Sequence, residues 1–101
     1  MIVADQVSRL KRAVLHSDMR TFNQLVNRNS DHQFLQNVFR MRSLTVLSGV
    51  HSHGYHLEAI LRADNKFFTM QLGLDSRSPT GYVINAAEEA MSEAARRFSK
   101  D

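Results

Sequence analysis

After Ser43 the apolar residues of this chain change their spacing from three and four to two, and no other feature constrains the fold as much. An apolar stripe at the helical period means a helix buried on one side. Strict alternation means a strand with one covered face. A chain that makes this change once, part-way along, is expected to be α+β, with helices first and antiparallel strands after them.

The helical part divides into three. Val3, Val7, Leu10 and Val14 form one stripe over a first helix spanning Asp5 to His16, with Asp5 as its N-cap. Ser17 and Asp18 break that pattern and can cap a second helix, where Met19, Phe22 and Val26 share a face beside Leu25. Asn27-Arg28-Asn29-Ser30 is rich in poor helix formers and reads as a turn. Ser30 and Gln33 have the spacing of a capping box, in which each side chain satisfies an exposed backbone donor of the other. They open a third helix with Phe34, Leu35, Val38 and Phe39 on its apolar side and His32, Gln33, Gln36, Asn37 and Arg40 on the other.

In the alternating part, Leu44, Val46, Ser48 and Val50 fall on one side of a strand, with Thr45 and Leu47 on the other. His51-Ser52-His53-Gly54 reads as a turn. Tyr55, Leu57, Ala59 and Leu61 then alternate against His56, Glu58, Ile60 and Arg62. Asp64-Asn65 turns the chain again, and Phe68, Met70, Leu72 and Leu74 line a third strand. After a loop at residues 75–81, Tyr82 to Ile84 either add a short fourth strand, the preferred reading, or already belong to the last helix. Asn85 and Glu88 then cap a C-terminal helix whose Ala87, Ala90, Met91, Ala94 and Phe98 lie along one side. The expectation is a single domain over residues 1–101: a helical part at 5–42, an antiparallel three- or four-stranded meander at 43–84, and a C-terminal helix at 85–100 packed on the sheet.

Composition narrows the function. At 101 residues and 43% hydrophobic, the chain builds a core too modest for a deep enclosed active site. It has no cysteine, which excludes disulfides, thiolate metal sites and a cysteine nucleophile, and favours a reducing compartment. No apolar run approaches the roughly 20 residues that cross a bilayer, and the opening residues do not resemble a signal peptide. A cytoplasmic protein without a membrane partner is expected. Gly49, Gly54, Gly73 and Gly81 are too scattered to cradle a phosphate, no nucleophile elbow is present, and Glu88 and Glu89 are neighbours at a solvated position. Neither enzymatic activity nor a cofactor is expected.

One cluster runs against that expectation. His51, His53, His56 and Glu58 offer imidazole and carboxylate groups within eight residues, the donor set that zinc or iron(II) takes. The spacing His51-x-His53-x4-Glu58 resembles the first metal motif of the cupins. That resemblance implies a closed barrel with a further histidine downstream, and no histidine follows His56. The plainer reading is a polar turn flanked by exposed histidines.

The net charge is +3, and the excess sits toward the N-terminus: residues 1–42 carry seven basic side chains against three acids. Three helices followed by a hairpin resemble the element order of a winged helix over residues 5–62. On that resemblance the third helix enters a major groove. Gln33, Gln36, Asn37 and Arg40 then read bases, and Arg9, Lys11, Arg12, Arg20 and Arg42 hold phosphates, with the His51–Gly54 turn as the wing. The meander under a C-terminal helix also resembles a double-stranded-RNA-binding fold, but the matching stretch from Glu88 to Glu93 is acidic, where a phosphate clamp must be basic.

The leading expectation is a small protein-binding module, a regulator, inhibitor or adaptor, docking through Phe67, Ile60 and Leu47 on the sheet face away from the main apolar column. Small proteins of mobile elements that block host defence complexes share this general profile. A winged-helix-like DNA-binding regulator is the alternative, a metal-binding enzyme the third reading, and a homodimer is compatible with the first.

Overall fold

The computed structural model describes residues 2–47, 51–53 and 56–90. Helix α1 runs from Ile2 to Leu15, α2 from Met19 to Leu25 and α3 from His32 to Phe39. Five strands follow: β1 (Leu44–Val46), β2 (His51–His53), β3 (His56–Ala63), β4 (Lys66–Leu74) and β5 (Tyr82–Ala90). All form one antiparallel sheet. β4 lies between β3 and β5, and the other side of β3 is shared by β2 along 56–58 and β1 along 61–63.

The helices cover one sheet face. Val3, Val7, Leu10, Phe22, Leu25, Leu35 and Phe39 from the helices share one buried cluster with Ala59, Leu61, Phe68, Met70, Leu72 and Ile84 from the strands. Phe34 meets Phe68 edge-on, ring centroids 5.9 Å apart. The alternation read from the sequence holds where it is described: Leu44 and Val46 stand with Leu57, Ala59 and Leu61 on the covered face, while Thr45, His56, Glu58, Ile60 and Arg62 take the other. Ser48, Val50 and Tyr55 lie outside the described residues.

Several local expectations are corrected. α1 starts before Asp5, so Asp5 lies in its first turn and pairs with Arg9 at 3.0 Å instead of capping. Asp18 does cap α2, accepting from the amide of Thr21 at 3.1 Å and its hydroxyl at 2.7 Å. The cap of α3 is Asp31, which accepts from Phe34 N at 3.0 Å. Ser30 is used elsewhere: its hydroxyl lies 2.7 Å from Asn85 O and 3.2 Å from Ile84 O, so a capping box with Gln33 does not form. His51–His53 is a strand, not a turn, because its backbone pairs with residues 56–58. Asp64 adopts φ 54° in the tight reversal between β3 and β4, a left-handed position that Asp tolerates.

The largest difference concerns residues 85–90. Their Asn-Ala-Ala-Glu-Glu-Ala sequence favours a helix, yet they continue β5, paired with β4 as far as Phe67↔Ala90. A helix here would leave most of the nine-residue β4 without hydrogen-bond partners on one side, a greater loss than helix propensity recovers. Residues 91–100 of the expected helix lie outside the described residues.

β5 is not paired evenly. Gln71 faces Ala86 while Leu72 faces Ile84, which leaves Asn85 as the extra residue of a bulge. The turn after α2 holds it: Asn27 Nδ2 donates to Asn85 Oδ1 at 3.0 Å, Asn27 N donates to Ile84 O at 2.9 Å, and Val26 bridges Ile84 in parallel. Gly73 lies beneath this latch, where a β-carbon would collide with Asn85 Nδ2. Replacing a strand glycine normally helps. Here Gly73→Ala should cost about 1–3 kcal/mol by overpacking, and adding Asn85→Ala should recover part of that. Chemical denaturation of the two variants checks the sign.

Candidate functional site

The sheet face opposite the helices carries the other half of the strand side chains, fully buried Ile60 among them. The register lines them up in rows: Glu58, Gln71 and Ala86; Ile60, Thr69 and Glu88; Arg62, Phe67 and Ala90. Leu47 joins the second row, since its amide donates to Ile60 O at 3.0 Å. The three residues expected to make a docking patch, Phe67, Ile60 and Leu47, are therefore brought together on one face. Their exposure differs. Phe67 and Leu47 are half-buried, whereas Ile60 has no exposed surface and stands outside the main core cluster. An open apolar patch centred on Ile60 is thus not what this face presents. Phe67 and Leu47 are its accessible apolar groups.

Beside them lies an open groove of about 350 Å³, with Glu58, Thr69, Gln71, Ala86 and Glu88 among its lining residues. Gln71 Nε2 donates to Glu58 Oε1 at 3.3 Å, and the Thr69 hydroxyl reaches Glu88 O at 3.5 Å. The described lining contributes two carboxylates and no cation. Glu89, across the edge, pairs with Lys66 at 3.5 Å.

The residues expected to meet DNA are dispersed in role. Lys11 Nζ donates to Met41 O at 2.7 Å and Arg42 O at 3.1 Å, so the ammonium closes the chain end after α3 instead of facing a phosphate. Arg9 is paired with Asp5. Gln33 Nε2 donates to Asn37 Oδ1 at 3.1 Å, which engages two of the proposed base readers with one another. Gln36 is half-buried. Arg12, Arg20, Arg40 and Arg42 are exposed. Arg9, Arg12 and His16 line a cleft of about 380 Å³ between α1 and α2 together with Asp18, whose carboxyl the Thr21 hydroxyl and amide hold below its ordinary range. Of the turn expected to be the wing, His51–His53 is strand β2 paired with β3, and Gly54 lies outside the described residues.

Of the histidine cluster, β2–β3 pairing sets His51 opposite Glu58 and His53 opposite His56. Among the described side chains, no three are grouped to hold a metal ion. Also among the described residues, no helix is long and apolar enough to cross a membrane.

One buried polar residue escapes a sequence reading. Gln6 has no exposed surface. Its Nε2 donates to Leu25 O at 3.0 Å and Tyr82 O at 3.1 Å, and its Oε1 accepts from the Thr80 hydroxyl. The available signal is its place three residues after Val3 and four before Leu10, inside the apolar arc of α1.

Comparison with protein-family models, with curated proteins and with solved structures finds no match to this chain. Function therefore has to be argued from the site itself.

Proposed function

We propose that this protein is a non-enzymatic binding module that docks a polypeptide segment of a partner protein on the sheet face opposite its helices. One observation carries the reading: that face combines accessible apolar groups, Phe67 and Leu47, with a groove whose described lining holds two carboxylates and no cation. The complementary occupant is a segment with apolar side chains next to lysine or arginine. Apolar contact supplies affinity, and Glu58 and Glu88 orient the cation. Strand-rich scaffolding suits the task, because side chains on a paired sheet keep fixed spacing and lose little freedom on binding.

A displayed random-peptide library selected on the full chain tests this. Enrichment of peptides combining apolar residues with Lys or Arg is expected. Phe67→Asp should weaken a selected peptide by about 2 kcal/mol or more, roughly thirtyfold, with an unchanged circular dichroism spectrum. Glu88→Lys should also weaken it. Selected peptides indifferent to both changes would move the interface elsewhere. The DNA reading would replace it if random duplex DNA bound with steep salt dependence and lost affinity in Arg12→Ala and Arg40→Ala.

A further inference from the structure

Strand β5 lies at the edge of the sheet, with β4 as its one strand neighbour among the described residues. The first part of its open side is already in use. Val26 bridges Ile84 in parallel, Asn27 N donates to Ile84 O at 2.9 Å, and the Ser30 hydroxyl lies 2.7 Å from Asn85 O. The chain then turns away into α3. Past the bulge, residues 86–90 run on with no second strand beside them among the described residues.

An open edge offers a row of backbone N–H and C=O groups to any extended chain, and proteins ordinarily guard it with lysine, proline or an inward charge. This stretch carries Ala86, Ala87, Ala90 and two glutamates. The alanine methyl groups leave the backbone approachable. Glu89 is held by Lys66 at 3.5 Å, whereas Glu88 is exposed on the outer face. Hollows also open on both sides of the edge. Ala86 and Ala87 line the outer groove of about 350 Å³ and a second hollow of about 220 Å³ toward α3, which Phe34 and Leu35 line as well. A cavity of about 150 Å³ holds a benzene ring, so the second hollow has room for one apolar side chain. A strand added about 4.8 Å from β5 sends alternate side chains to these two sides.

We propose that the β5 edge binds an extended segment of a partner protein as a sixth strand beside residues 86–90, with a lysine or arginine opposite Glu88. The proposal rests on the docking reading above and names how the segment is held. Backbone hydrogen bonds to β5 supply affinity, and the alternating side chains supply selectivity. The residue opposite Ala87 points into the α3-side hollow against half-buried Phe34. The residue opposite Ala90 extends the row that contains Phe67. The recognised pattern is therefore a cation with an apolar residue next to it and another two positions away on its other side. A second copy of this chain fits poorly. Antiparallel pairing of residues 87–90 with themselves sets Glu88 opposite Glu89 twice, and like charges directly opposite destabilise a pair.

The test selects a displayed library of ten-residue peptides on the full chain and resynthesises the tightest peptide with single N-methyl groups along its backbone. Strand addition uses every second peptide N–H. N-methylation is therefore expected to weaken binding about tenfold or more at alternate positions and little between them. Amide hydrogen exchange of residues 86–90 should slow when the peptide binds. Glu88→Lys should weaken the peptide about tenfold, and glutamate in place of the peptide's cation should recover the loss. Losses without a period of two, or no protection at 86–90, would overturn the added strand; a peptide that Phe67→Asp still weakens would then leave docking on the face standing. Alternation and protection with a peptide indifferent to Phe67→Asp would support the strand and remove the face from the interface. No enriched peptide would remove both.

Discussion

Replacing Gln6 by alanine should destabilise the fold by about 3–4 kcal/mol, more than most single polar substitutions. The magnitude follows from where its amide sits. Leu25 O is one of the last carbonyls of α2, which the helix cannot satisfy internally. Tyr82 O belongs to the first residue of β5. One NH2 group serves both, and the carbonyl of the same amide accepts from Thr80 in the loop that delivers β5 to the sheet. Thus α1, α2 and the start of β5 meet on one buried side chain. Alanine removes the donor to Leu25 O, leaves Tyr82 O with the Thr80 hydroxyl at 3.1 Å, and opens a cavity beneath them. Gln6→Met separates the two causes, since it keeps the volume and removes only the hydrogen bonds. It should still lose about 2 kcal/mol. A methionine variant as stable as the parent in urea denaturation would show that the amide is dispensable and that packing alone matters at this position.

The same residue shows what a sequence can and cannot disclose. Val3, Val7, Leu10 and Val14 announce their helix because apolar residues at helical spacing have one physical reading. Gln6 is silent because a polar residue beside that stripe is ordinarily solvated, and its partners lie 19 and 76 residues away. Ser30 fails for a related reason. Its spacing to Gln33 satisfies a local rule, but the Ile84 and Asn85 carbonyls at the β5 bulge compete for its hydroxyl and win. Both cases set a local pattern against a long-range partner. Local reasoning has no access to the second.

Residues 85–90 extend that argument to a whole element. Alanine and glutamate favour helix by roughly half a kcal/mol per residue over typical strand-avoiding alternatives, and the Asn85–Glu88 spacing imitates a cap. Pairing with β4 overrides both, because an unpaired strand edge leaves several backbone groups unsatisfied together. The outer face was more legible than the edge. Alternation alone assigned Phe67, Ile60 and Leu47 to it, since a period of two leaves no choice of side. What alternation cannot express is how deeply each residue is covered, and Ile60, fully buried, departs from its two neighbours on that count. The histidine pattern sits between these extremes: its spacing suggested ligands, but only the β2–β3 register reveals that the two strands pair them.

Phe22→Ala should be the most damaging apolar truncation among the short helices, at about 3–5 kcal/mol. Phe22 has no exposed surface and belongs to the cluster shared by helices and sheet. Its ring also meets His32 edge-on, with centroids 5.3 Å apart and planes at 72°. His32 Nε2 in turn lies 3.1 Å from Asn27 O, in the turn that latches onto the β5 bulge through Asn85 and Ile84. Truncating the ring therefore removes core volume and the surface against which this latch is set. Domains of this size lose roughly 4–8 °C of Tm per kcal/mol, so a fall of about 15 °C or more is expected in a thermal melt. A double-mutant cycle with His32→Ala isolates the ring contact, which should couple by about 0.5–1.5 kcal/mol. Additive losses would mean that Phe22 stabilises by burial alone and that the latch stands without it. Coupling would tie the α2 core, the Asn27 turn and the bulge into one cooperative unit, which is what a sheet edge fastened by so short a helix requires.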